Sequence, residues 1–266
     1  MLPLKIHTDP LWLVFAALGG LVLLFIVAPL VSMCLQSSLP ELVDTVKDDE
    51  VLGSIWLTLW TSMAATIMFA IAAIPFSYLL ARKNFPLKGL VLAIIDLPIV
   101  IPHSAAGIAL LGVLSRNTLL GDAAERIGFR FVGSSAGIMA AMAFVSIPFL
   151  INSARDGFQA VPVRLEKAAL SLGASPLRVF LTISVPLAIR PIVSGLVLMW
   201  ARGMSEFGAV LIVAYHPMVT PVLMYERFGA FGLKYARPVA VVFILVCLVF
   251  FAALRLLARE KEDAQR

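Results

Sequence analysis

Four ionisable residues, Asp96, His103, Arg202 and Glu206, stand inside long apolar runs. A charge near the middle of a membrane-spanning helix costs about 2.5–3.5 kcal/mol on insertion scales, so each needs a partner or a task. Arg202 and Glu206 are four residues apart, which puts them on one helix face where they can pair. Two readings of that pair stand. It is an ion pair that lets its helix enter the bilayer, or Arg202 faces a polar path and attracts an anion while Glu206 holds it or switches partner. An unpaired guanidinium is a good bidentate donor for an oxyanion. Upstream, Asp96-Leu97-Pro98 and Ile101-Pro102-His103 place two prolines four apart. Each proline removes a helix hydrogen bond and clashes with the preceding turn, so this run is kinked or broken. Freed backbone groups are tolerated in a membrane where they are buried in protein or line a cavity. Asp96, Pro98, Pro102, His103, Arg202, Ser205 and Glu206 therefore form a candidate wall of a translocation path. The alternative is a proline-kinked packing element with Asp96 turned to the basic loop at 82–89. A metal site is not indicated, because His103 has no second ligand at suitable spacing. Acid-base catalysis is not indicated either: only three histidines are present, and His7 and His216 lie outside the apolar runs.

The elements that must hold these residues are membrane spans. Of the 266 residues 61% are hydrophobic and 14% charged, against about 45–50% and about 25% in a soluble domain. The chain reads as an all-α integral membrane protein with spans at about 12–36, 51–81, 90–115, 131–154, 191–215 and 238–257. Six spans place both termini on one side. The N-terminal segment 1–10, the loops at 82–89 and 155–190, and the C-terminal tail at 259–266 with its approach hold 13 Lys and Arg, against 7 in the opposite loops. The positive-inside rule makes the richer side cytoplasmic. The basic excess is thus a membrane signature; no aromatic and basic interleaving suggests nucleic acid. Cys34 and Cys247 both fall in apolar runs, and no disulfide is expected. Gly133 and Gly137 form G-x-x-x-G at the start of the fourth expected span, a spacing that permits close helix packing.

One polar segment interrupts the spans: EKAALSLGASPLRVFLTISVP, residues 166 to 186. Ala168, Ala169, Leu170, Leu172 and Leu177 favour helix or supply an apolar face. Gly173 relaxes the backbone, and Ser175-Pro176 suits the N-cap and first position of a second helix. The spacing predicts two short helices with an elbow at Gly173-Ala174. Such a surface suits a cytoplasmic protein partner, or a hairpin lying on lipid headgroups.

The segment resembles the EAA loop of ABC importer permeases, the binding-protein-dependent transport inner-membrane components. That pattern is E-A-A, three residues, G, nine residues, I-x-L-P. Here Ala168-Ala169, Gly173 and Ile183-Ser184-Val185-Pro186 keep the spacing. Lys167 stands where the pattern has Glu, with Glu166 one place earlier, and Val185 replaces Leu. The resemblance implies type I ABC importer architecture, with 164–180 forming coupling helices that dock on a separate ATPase subunit. Glu166, Lys167, Ala168, Ala169, Gly173, Ser175, Pro176, Arg178, Ile183 and Pro186 would form that coupling loop. The chain has no G-x-x-x-x-G-K-[ST] loop for nucleotide phosphates. ATP and Mg are accordingly expected on two copies of the partner ATPase, with no cofactor on this chain.

Residues 96–111, 164–180 and 200–240 further resemble molybdate and tungstate permeases, and the 202–208 run is close to one in sulfate permeases. The resemblance implies an extracytoplasmic oxyanion-binding protein that meets the 215–235 segment. It also implies a second permease copy, a homodimer in expectation, in a prokaryotic cell membrane. Sulfate or thiosulfate import is the neighbouring reading. A secondary anion transporter is the other, and it would need unwound helices with ion ligands at the midplane.

Overall fold

The computed structural model describes residues 10–263, with side chains described as far as Phe251. The expected N-terminal segment before Pro10, with Lys5 and His7, and the side chains of the expected 259–266 tail lie outside the described residues. In chain order the helices are α1 (Pro10–Leu35), α2 (Leu39–Lys47), α3 (Asp49–Arg82), α4 (Lys88–Val100), α5 (His103–Leu114), α6 (Leu119–Arg126) and α7 (Ser135–Ala160). Then come α8 (Val163–Ser171), α9 (Pro176–Val179), a π-helical turn (Phe180–Ser184), α10 (Val185–Leu187), α11 (Ile189–Met204), α12 (Gly208–Val213), α13 (Thr220–Phe231) and α14 (Leu233–Asp263). No strand occurs among the described residues.

Among the described residues four helices, α1, α3, α7 and α14, are long and apolar enough to cross a membrane, and two bent pairs bring the candidates to six if each pair is one span. The run expected as a single span at 90–115 is two helices, α4 and α5, meeting at 114°. The sequence pointed to a break here, and it falls at Ile101-Pro102, because Pro102 cannot continue the helix hydrogen bonding. The run expected at 191–215 is also divided. Its helix α11 stops at Met204, and residues 205–207 separate it from α12. The expected span at 131–154 falls largely within α7, which begins at Ser135, where Ser134 Oγ accepts the Gly137 N–H, and continues to Ala160. Gly133 therefore precedes the helix. It has φ +68° and donates its N–H to Val213 O at 3.1 Å, so Gly133 and Gly137 are not a helix-packing motif.

The described residues divide into two compact units, 52–225 and 10–51 with 226–263. In the first, α7 is the central helix. It packs on α11 through small residues: a Cβ on Gly195 would come 2.9 Å from Ser153 Cβ, and one on Gly157 would come 2.6 Å from Pro191 Cβ. Without a water-driven hydrophobic effect inside lipid, such close backbone approach is what holds membrane helices together. The hydroxyls along the buried face of α3 are satisfied within their own helix. Thr58, Thr61, Ser62, Thr66 and Ser77 donate to carbonyls one turn back at 2.6–2.8 Å. Thr58 Oγ1 also accepts the Thr220 N–H at 2.8 Å, tying the start of α13 to α3.

In the second unit, α2 carries a capping box. Ser38 Oγ accepts the Glu41 N–H, and Glu41 Oε2 accepts the Ser38 N–H at 3.0 Å. Arg227 pairs with Asp48 at 2.7 Å and Glu50 at 2.9 Å, fixing the turn between α2 and α3.

Gly195→Leu should force α7 and α11 apart and cost about 1–3 kcal/mol, read as a lower melting temperature in detergent. Gly53→Leu, where an added Cβ meets nothing within 4 Å, should leave it unchanged or raised.

Candidate functional site

Two helix breaks meet at one buried carboxylate. Glu206 sits in the gap between α11 and α12 with its side chain 0% exposed. Its Oε1 accepts the Ala209 N–H at 2.9 Å, which satisfies a donor in the first turn of α12. Its Oε2 lies 3.0 Å from Arg202 Nη2 and 3.0 Å from His103 Nδ1. Arg202 Nη2 is also 2.8 Å from His103 Nε2, and Nη1 donates to Ser205 Oγ at 3.2 Å. Arg202 Nη2 also lies 3.0 Å from His103 Nδ1, so the guanidinium touches both ring nitrogens of the imidazole. A Cβ on Gly208 would come 2.8 Å from His103 Cβ, so glycine there lets α12 approach the start of α5.

The cluster has a sealed side and an open side. The carboxylate has no exposure, while the Arg202 side chain keeps 22% and His103 38%. What the cluster presents outward is a guanidinium, an imidazole and the exposed Ser205. The i,i+4 pair expected from the sequence is formed, and His103 from the other break joins it. Pro102 is the N-cap of α5, and Pro98 is buried within α4. Asp96 is elsewhere: its Oδ1 accepts from Asn152 Nδ2 of α7 at 2.6 Å, with no hydrogen bond to the cluster among the described residues. Asn152 Oδ1 is buried with no hydrogen-bond partner among the described residues.

The 163–187 segment forms the predicted elbow. Gly173 has φ +87°, a conformation L side chains rarely adopt, and Ser175 Oγ accepts the Arg178 N–H at the start of α9. Lys167, Ala168, Gly173, Ser175, Pro176, Arg178 and Pro186 are exposed, and Ala169 and Ile183 are half-buried. Leu172 is 89% exposed and Leu177 67%, so the elbow presents an apolar surface.

Glu166 points the other way. Its carboxylate is buried and takes Arg82 Nε at 2.9 Å and Arg82 Nη2 at 2.8 Å, from the end of α3. It also accepts from Ser184 Oγ of the π-helical turn at 2.7 Å. Arg82 Nη2 reaches further to Val161 O at 3.0 Å, and the guanidinium lies over the Tyr78 ring. Tyr78, Phe158 and Phe180 pack around it with ring centroids 5.0–6.0 Å apart. Burial alone would raise the Glu166 carboxyl, but the hydrogen bonds from Arg82 and Ser184 outweigh it and hold the group below its ordinary value. Sequence reasoning missed Arg82, Ser184 and Asn152. Arg82 read as one more basic loop residue, and nothing local joins it to Glu166, 84 positions away.

This fold of broken helices, with an elbowed polar segment between spans, is that of ABC importer permeases. A bacterial ABC transporter involved in the import of the acidic polysaccharide alginate contains a chain that superposes with a TM-score of 0.72 over 94% of this chain and 96% of that one, at 17% identity. Residues 73–262 match the family described as binding-protein-dependent transport system inner membrane component, and the chain belongs to that family of multi-pass membrane proteins. It is 45% identical to the molybdate/tungstate transport system permease protein WtpB of Pyrococcus abyssi, over 91% of this chain and 93% of that one. It is 31% identical to a probable sulfate transport system permease protein of Zygnema circumcarinatum, over 88% and 84%.

The lowered Glu166 carboxyl sets a pH dependence. The stability it contributes is complete above its ordinary value of 4.5 and is lost as pH falls through the lower folded value. Thermal unfolding in detergent should show wild type well above Glu166→Gln at neutral pH. The gap should narrow only below about pH 4.5.

Proposed function

We propose that this chain is the permease subunit of an ATP-driven importer that carries a tetrahedral oxyanion, molybdate or tungstate, into the cytoplasm. The observation that carries this reading is the near full-length likeness to a molybdate/tungstate permease, with lower identity to a sulfate one. The chain itself holds no nucleotide site in this reading. Two copies of a partner ATPase supply ATP and Mg, an extracytoplasmic binding protein delivers the anion, and a second copy of this chain completes the path. The basic-rich loops, both termini and the 163–187 segment face the cytoplasm, and 215–235 meets the binding protein.

The Glu206 cluster gives the path a mild attraction for anions. Arg202, His103 and Ser205 form its open side, while the sealed carboxylate cancels much of the guanidinium charge. A fully free Arg would bind a dianion tightly and slow its release, whereas transport needs entry and exit. The exposed elbow around Leu172, Gly173 and Leu177 is the docking surface for the ATPase.

Proteoliposomes holding this chain, its ATPase and its binding protein should take up tungstate and molybdate with ATP, measured by elemental mass spectrometry. Sulfate uptake would move the cargo, and no uptake of any of the three beside an active ATPase would sink the oxyanion reading. Arg202→Ala should lower uptake by about tenfold or more, the loss of charged hydrogen bonds being worth about 1.5–3 kcal/mol. Gly173→Leu should abolish cargo-stimulated ATPase activity while the chain still inserts.

A further inference from the structure

Building on the coupling role proposed above, we infer that the Arg82–Glu166–Ser184 contact is the joint through which force on the exposed elbow enters the membrane helices. Glu166 is then a positioning residue for transport and not a docking contact. Between Val163 and Arg178 every side chain is exposed or half-exposed except that of Glu166. The segment is therefore held to the rest of the protein at that residue and next at the buried Val179, where the chain re-enters the core. A carboxylate 7% exposed, gripped by an arginine 11% exposed, is a stiff connection, because separating the two leaves both charges buried without partners.

The contact gathers four elements at one point. Arg82 is the last residue of α3, Glu166 lies in α8, Ser184 ends the π-helical turn, and Val161 caps the end of α7. A displacement of α8 thus pulls on α3 and α7 together. The wider π-helical winding is an uncommon conformation, found mostly as single turns within α-helices and frequently at functional sites. Here it ends on the serine that completes the grip. The aromatic group of Tyr78, Phe158 and Phe180 fills the space beneath, so the joint cannot slide without repacking rings. The outward Lys167, Arg178 and leucines remain free to meet a partner.

The test is the ratio of tungstate taken up to ATP hydrolysed, measured in the same proteoliposomes with the ATPase and binding protein present. A ratio does not depend on how many molecules folded. Wild type should couple. Glu166→Gln and Arg82→Gln should each cut the ratio by about fivefold or more while hydrolysis persists. The double variant should fall no further than the worse single, as for two ends of one contact. Ser184→Ala and Arg82→Lys keep both charges and should fold; a smaller drop of about twofold is expected for each. If these variants only lower the melting temperature, with uptake and hydrolysis falling together at an unchanged ratio, the joint is structural and the inference is overturned. If Gly173→Leu uncouples but the Arg82, Glu166 and Ser184 variants keep the ratio, docking through the elbow stands and the joint does not. If wild type itself takes up none of tungstate, molybdate and sulfate with ATP, the oxyanion reading above falls and this inference, which rests on it, falls with it.

Discussion

A carboxylate shut away from water must find its hydrogen-bond donors within the protein. Two carboxylates here meet that demand in the same manner, and each thereby fastens elements that no local interaction would join. Glu206 draws Arg202 from its own helix, His103 from 99 or more residues earlier, and the backbone of α12. Glu166 draws Arg82 from α3 and Ser184 from the π-helical turn. Removing either partner alone strands a buried charge. The breaks in the helices are consequently fixed points of the fold, not loose ends.

The same demand explains the broken helices. A polar chain end in lipid is tolerated only where protein supplies partners. At residues 205–207 the Glu206 side chain supplies one to α12 while its own N–H bonds to Gly203 O. At 101–102 the Ile101 N–H still reaches Leu97 O, so α4 closes normally and the chain turns at Pro102. Glycine at 107 and 208 lets the resulting short helices lie against each other. A Cβ at Gly107 would meet Ile212 Cβ at 2.7 Å.

Much of this was legible in the sequence, because local chemistry decided it. The elbow followed from Gly173 and the Ser175-Pro176 start, the Arg202–Glu206 pair from its spacing, and the break near Pro98–Pro102 from the prolines. The end of α11 at Met204 was hidden inside an apolar run, since composition alone cannot tell an unbroken span from two shorter helices. The position of Glu166 was illegible for a different reason. Whether a charge in an amphipathic segment turns in or out depends on a cation elsewhere in the chain, and Arg82 carries no local sign of it. Gly133 and Gly137 had helix-packing spacing, but Ser134 starts the helix between them.

The uneven burial of the helices bears on how the chain is laid into the bilayer as it leaves the ribosome. None of α1's most apolar stretch is buried in the structure, whereas 56% of that of α7 is. A helix like α1 is at home among acyl chains from the moment it is made. The short α5 is not, because His103 sits at its tip and its partners, Arg202 and Glu206, are synthesised about a hundred residues later. The contact that joins α5 to α11 and α12 therefore cannot form until the chain has been made past Glu206.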